Sequence, residues 1–141
     1  MNYARLAMAA VAATVFDAVY GFVVYGMLLA PEFANHPAVY RANEAGQAFL
    51  PLMFAGLFIA IVAAAIIYAK GYEGGSGAAE GIRFGFLLGV FVVFAFAGVN
   101  YAVLNIGRRL AVMVAAAGFV EWLLIGTIIG LVYKPAAGSR R

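Results

Sequence analysis

Two carboxylic acids stand where lipid-facing residues would be expected. Asp17, in "VFDAVYGF" (residues 15–22), interrupts an apolar run that begins at Leu6 and ends only at Pro31, and Glu121 interrupts a second run in "GFVEWLLIG". Each acid lies eleven residues from the start of its run, counting from Leu6 and from Leu110. At ~1.5 Å per helical residue this is ~16 Å, close to the midplane of a bilayer. The two acids therefore share a depth. No Lys or Arg sits at that depth to neutralise them. A lone charged carboxylate there costs ~2.5 kcal/mol or more even on the lenient insertion scale. Either at least one acid keeps its proton, or the two share a proton, or they bind a cation.

Two kinds of role follow. A neutral acid in the membrane can act as a strut, hydrogen-bonding a Tyr, Asn or Thr of a neighbouring helix at ~0.6–2 kcal/mol per bond. Alternatively, the pair forms a proton, ion or ligand site, the default hypothesis for ionisable residues inside a membrane. The candidate site residues are Asp17, Glu121, Tyr20, Asn100, Tyr101 and Trp122. Tyr20 falls on the stripe Ala10, Ala13, Thr14, Asp17, Tyr20, Gly21, Val24, Tyr25, which the three-and-four spacing places on one helix face. Val11, Val15, Ala18 and Phe22 form the opposite, lipid-directed face. Asn100, Tyr101 and Asn105 add polar groups in the outward half of the third helix, on the same side of the membrane as Arg108 and Arg109, and Trp122 is a candidate wall of an apolar ligand pocket, although aromatics at helical spacing are more often plain packing.

Other chemistry is poorly provided for. Cysteine is absent, which removes thiol catalysis, disulfides and Cys-ligated metal. His36 is the single histidine, so bis-His haem ligation within one chain is impossible, and its place between Asn35 and Pro37 fits an ordinary loop residue. The serines, Ser76 and Ser139, lie at or beyond helix ends with no base nearby, so no triad can be assembled. The cluster "KGYEGGSGAAEG" lacks the preceding strand and following Lys-Ser/Thr of a phosphate loop. It reads as a turn in which Gly71 ends one helix and Ser76 or Gly77 caps the next. No cofactor and no metal site is expected.

The elements that must carry these residues follow from composition. The chain has 141 residues, 67% hydrophobic and 11% charged, against roughly 45–50% and about 25% in soluble domains. This is the composition of an all-α integral membrane protein. Four apolar blocks, at about residues 5–30, 48–69, 81–105 and 110–133, are each long enough to cross the bilayer. In lipid they satisfy their backbone groups as helices. The expectation is one transmembrane domain over residues 1–141, a four-helix bundle. The first block is longer than the roughly 7–15 apolar residues of a signal peptide, which favours a mature helix.

Small residues suggest where helices meet. Gly81, Gly85 and Gly89 recur at intervals of four, as do Gly126 and Gly130, a spacing that lets backbones approach closely in lipid. Gly85, Gly89, Gly126 and Gly130 are the expected packing residues, whether toward a helix of the same chain or of another. A faint repeat matches Ala55-Gly56 and Ile66-Ile67 to Ala117-Gly118 and Ile128-Ile129. It reads either as a two-plus-two helix duplication or as coincidence in a chain built from few residue types.

The basic residues anchor and orient the spans rather than point to nucleic acid, which is not an expected partner. Arg5, Lys70, Arg83, Lys134, Arg140 and Arg141 fall on one side, and Arg41, Arg108 and Arg109 on the other. That asymmetry predicts both termini in the cytoplasm, in a membrane of the bacterial inner type. The first loop, "PEFANHPAVYRANEAGQ", then faces outward, with a short interfacial turn near Val39 and Tyr40.

Four short helices with one membrane carboxylate are the general outline of the small multidrug exporters. Their signature acid is a first-helix glutamate where this chain has Asp17, Glu121 has no counterpart in their pattern, and no local motif matches, so that family is not assigned. Two function classes remain. One is proton- or cation-linked transport or binding of a small ligand, in a homo-oligomer because four short helices enclose little volume. The other is a non-catalytic accessory subunit docked on partner membrane subunits. An enzyme ranks third.

Overall fold

The computed structural model describes residues 1–41 and 43–134. Arg140, Arg141 and Ser139, used in the sequence reading, lie outside the described residues. Four long apolar helices, Tyr3–Leu28, Leu50–Lys70, Gly77–Val103 and Gly107–Val132, form an all-α bundle of transmembrane length. They are called the first to fourth spans below. Two short helices, Ala30–Ala34 and Asn43–Gln47, lie in the connection between the first and second spans.

Local chemistry sets the span ends. The Asn2 side chain accepts a hydrogen bond from the Arg5 N–H at 3.2 Å and so caps the first span. The second span begins with Pro51 in its first turn and closes at Gly71 just after Lys70, with proline and glycine each at the end that suits it. Ser76 caps the third span through the Ala79 N–H, and Glu80 reaches back to accept from the Gly75 N–H. This reciprocal capping starts the helix at Gly77, ahead of residue 81 where apolarity alone placed it. The glycine cluster is thus a turn, with Gly74 at φ +90°. At the other end Gly107, at φ +68°, reverses the chain between the third and fourth spans within a few residues.

The fourth span is the hub. The third packs along one side of it and the first along another; the second packs on the first and touches the fourth at the terminal end, where the first span begins and the fourth stops. This terminal end holds the main core: Ala9, Ala10 and Ala13 of the first span, Ile61, Ala64, Ala65 and Tyr68 of the second, and Ile125, Ile129 and Tyr133 from the fourth. Alanines let the first two helices approach, and isoleucines fill the remaining volume. Toward the opposite end, the loop end, the second span leaves the core, and Leu52, Phe54 and Phe58 are exposed to the lipid region.

The third–fourth seam is closer still. A Cβ on Gly85 would strike the Leu123 carbonyl, one on Gly126 would strike the Gly85 backbone, and one on Gly130 would strike Gly77 and Gly81. At Gly89 the obstacle is the Phe119 ring and carbonyl, at 2.8 and 3.0 Å. Both glycine ridges are therefore engaged with each other inside one chain. The faint repeat does not extend to packing, because Gly56 faces open space whereas Gly118 lies beside Val92 and the Tyr25 hydroxyl.

Two stretches depart from α-helical winding, Val24–Leu28 in the first span and Val93–Gly98 in the third. Both are π-helical and both lie in the loop-end half. Such wide turns change the rotation of every residue beyond them. At the loop end itself a small cluster of Ile106, Leu110 and Ala111 is covered by Phe33, Val39 and Tyr40. Partial burial pushes the Tyr40 hydroxyl above its ordinary titration range. Glu32 and Arg109 pair at 2.7 Å across this contact, joining the first loop to the start of the fourth span.

Candidate functional site

Asp17 and Glu121 meet. Ala13 and Asp17 are one turn apart on the first span, Glu121 and Ile125 one turn apart on the fourth, and the two helices pack along these faces. The acids therefore sit just where the alanine–isoleucine core ends and the looser loop-end half begins. Asp17 is 2% exposed and Glu121 7%. Both acids are buried on the faces along which the first and fourth spans pack.

The surroundings satisfy Glu121 better than Asp17. Tyr25 donates its hydroxyl to Glu121 Oε2 at 3.0 Å, while Tyr20 donates to the Ala117 carbonyl at 2.9 Å, one turn earlier on the same helix. The two tyrosine rings stand edge to face, 6.3 Å between centroids. Gly118, next to Ala117, lies beside the Tyr25 hydroxyl, which is 3.8 Å from where a Cβ would be, an ordinary contact distance. Thr14, a possible partner for Asp17 by spacing, instead returns its hydroxyl to the Ala10 carbonyl at 2.8 Å. Asp17 Oδ1 consequently has no hydrogen-bond partner among the described residues, although it is fully buried.

No cation among the described residues pairs with either acid. The ion pairs among the described residues are Arg83–Glu73 and Arg109–Glu32, both at span ends. Nor do the described residues hold any group of three or more metal-ligating side chains. Two buried carboxyls with tyrosine hydroxyls beside them suit a shared proton or a single cation, and they are too few to form a dedicated metal cage.

Of the other sequence candidates, Tyr20 lies beside the pair. Trp122 is half-buried and turned toward the terminal-end core with Phe16. Asn100 and Tyr101 stand apart and exposed. Gly89 is level with Phe119 and Gly85 with Leu123, so Glu121 is level with the residues between them. Asn100 lies eleven residues past Gly89, ~16 Å nearer the loop end. Tyr25 falls on the polar stripe by spacing but is not among the sequence candidates for the site. Its place two turns beyond Asp17 was the available signal, and the wide turn that begins at Val24 is what the spacing rule does not include.

Comparison with protein-family models, with curated proteins and with solved structures gives no match. The functional reading therefore rests on the geometry of the pair.

Proposed function

We propose that the Asp17–Glu121 pair is a titrating site, and that this membrane protein couples binding or movement of a small ligand to a proton or a cation held there. The observation that supports this is the burial of two carboxyls on packed faces of the first and fourth spans, with the ion pairs of the described residues all elsewhere. A buried carboxylate without a countercharge is held by a proton or a cation, and its ionisation state then follows what binds there. A site that takes up and releases a proton or a cation needs a free acceptor in one of its states. The accessory-subunit reading loses part of its basis, because both glycine ridges are spent on each other within the chain.

The test is a pH titration of the carboxyl groups by infrared difference spectroscopy in wild type, Asp17→Asn and Glu121→Gln. Both substitutions keep shape and hydrogen-bonding capacity. A coupled site predicts that removal of either acid displaces the titration of the other, with the fold intact. If each remaining carboxyl titrates as in wild type, the two do not communicate and the pair is a structural strut. Native mass measurement in mild detergent separates the two function classes: a defined homo-oligomer fits the first, and co-purifying foreign chains fit the accessory role.

A further inference from the structure

The loop-end half of the third–fourth seam differs from the glycine-packed half. From Val93 the third span unwinds into its π-helical stretch, and between it and the fourth span runs an apolar groove of about 170 Å³. Its walls include Val93, Phe94, Ala97 and Ala115, and at its loop end stand Tyr101 and Arg108. Phe94 and Val112, on its edges, are largely exposed, so the groove opens sideways to the bilayer rather than into the bundle.

The two arginines of the turn differ in their engagement. Arg109 is paired with Glu32 at 2.7 Å, whereas Arg108 makes no ion pair among the described residues and stands at the mouth of the groove. No acidic residue among the described ones lines the groove. A guanidinium beside a narrow apolar channel, at the level where a span ends, complements an amphiphile with an anionic head and a hydrocarbon tail. Guanidinium forks suit phosphate in particular. Among the described residues no lining carboxylate stands ready to receive the ammonium of a zwitterionic head group.

We infer that this groove is a binding site for one anionic phospholipid, an acyl chain lying along the π-helical stretch and the phosphate on Arg108, with the Tyr101 hydroxyl near the head group. The bulk bilayer solvates any apolar surface; what distinguishes this site is a head-group preference carried by a single side chain.

The experiment uses the full chain reconstituted in vesicles of mixed phosphatidylcholine and phosphatidylglycerol, extracted in mild detergent, with retained lipid identified by mass spectrometry. Wild type is expected to retain phosphatidylglycerol in excess of its share of the vesicle. Arg108→Gln is expected to weaken that retention about tenfold, the loss of one charge-assisted contact, whereas Arg109→Gln keeps it. Ala115→Leu, which narrows the groove and leaves both arginines in place, is expected to lower retention of either lipid. Trp122 fluorescence and elution volume confirm that each variant is folded. Undiminished phosphatidylglycerol retention in Arg108→Gln, or equal loss in Arg109→Gln, overturns the assignment, since retention would then be indifferent to the groove or a matter of general positive charge.

Discussion

Adding one methyl group at Gly85 is the most direct test of the third–fourth seam. The new Cβ in Gly85→Ala would lie on the Leu123 carbonyl, with the Leu123 carbonyl carbon and Cα at 2.9 and 3.0 Å. Ordinary van der Waals contact begins at 3.4 Å, so the backbones must part by about half an ångström there and by more at the oxygen. These atoms are backbone and cannot rotate away. The displacement is shared along a seam that includes Gly77, Gly81, Gly126 and Gly130, which loosens many dispersion contacts at once. Overpacking of this kind costs ~1–3 kcal/mol or more. Gly56 is the internal control, because a Cβ there meets nothing within 4 Å; Gly56→Ala should be neutral or gain up to ~1 kcal/mol from helix propensity. The assay is unfolding by sodium dodecyl sulfate in mixed micelles, followed by far-UV circular dichroism and by the fluorescence of Trp122, the single tryptophan, which sits half-buried on the fourth span. Gly85→Ala should unfold at clearly lower denaturant than Gly56→Ala. Equal midpoints for the two variants would refute the claim that the third and fourth backbones touch at this position.

The remaining predictions concern the acid pair and the orientation. Tyr25→Phe removes the donor to Glu121 Oε2 and should cost ~1–3 kcal/mol by the same unfolding assay, with a displaced Glu121 carboxyl band in the infrared. Tyr20→Phe, which gives up only a bond to a backbone carbonyl, should cost ~0.5–1.5 kcal/mol and leave that band in place. We propose that both termini are cytoplasmic, from the excess of Lys and Arg on their side. In intact cells a cysteine at Ser76 should be shielded from a membrane-impermeant thiol reagent and one at Ala38 labelled. The reverse pattern would invert the topology.

The all-α class and the four spans were legible in the sequence because lipid imposes one rule on the whole chain: apolar blocks of this length must satisfy their own backbone. The small-residue spacing at Gly85, Gly89, Gly126 and Gly130 was legible for a similar reason, since only residues without bulk permit close approach. Equal distances along two apolar runs were enough to set Asp17 and Glu121 at one depth. Depth is one coordinate of three, however. Whether the acids faced each other, a partner or lipid depended on the rotation and neighbours of each helix, which tertiary packing decided. The same limit explains Asn100 and Tyr101, polar residues on a span whose level relative to Glu121 was fixed only once Gly85 met Leu123 and Gly89 met Phe119. The recruitment of Tyr25, the loss of Thr14 to its own helix and the groove beside Arg108 involve local choices of winding and hydrogen bonding. Such choices differ by a few kcal/mol at most and are settled by which side chains the neighbouring helix presents.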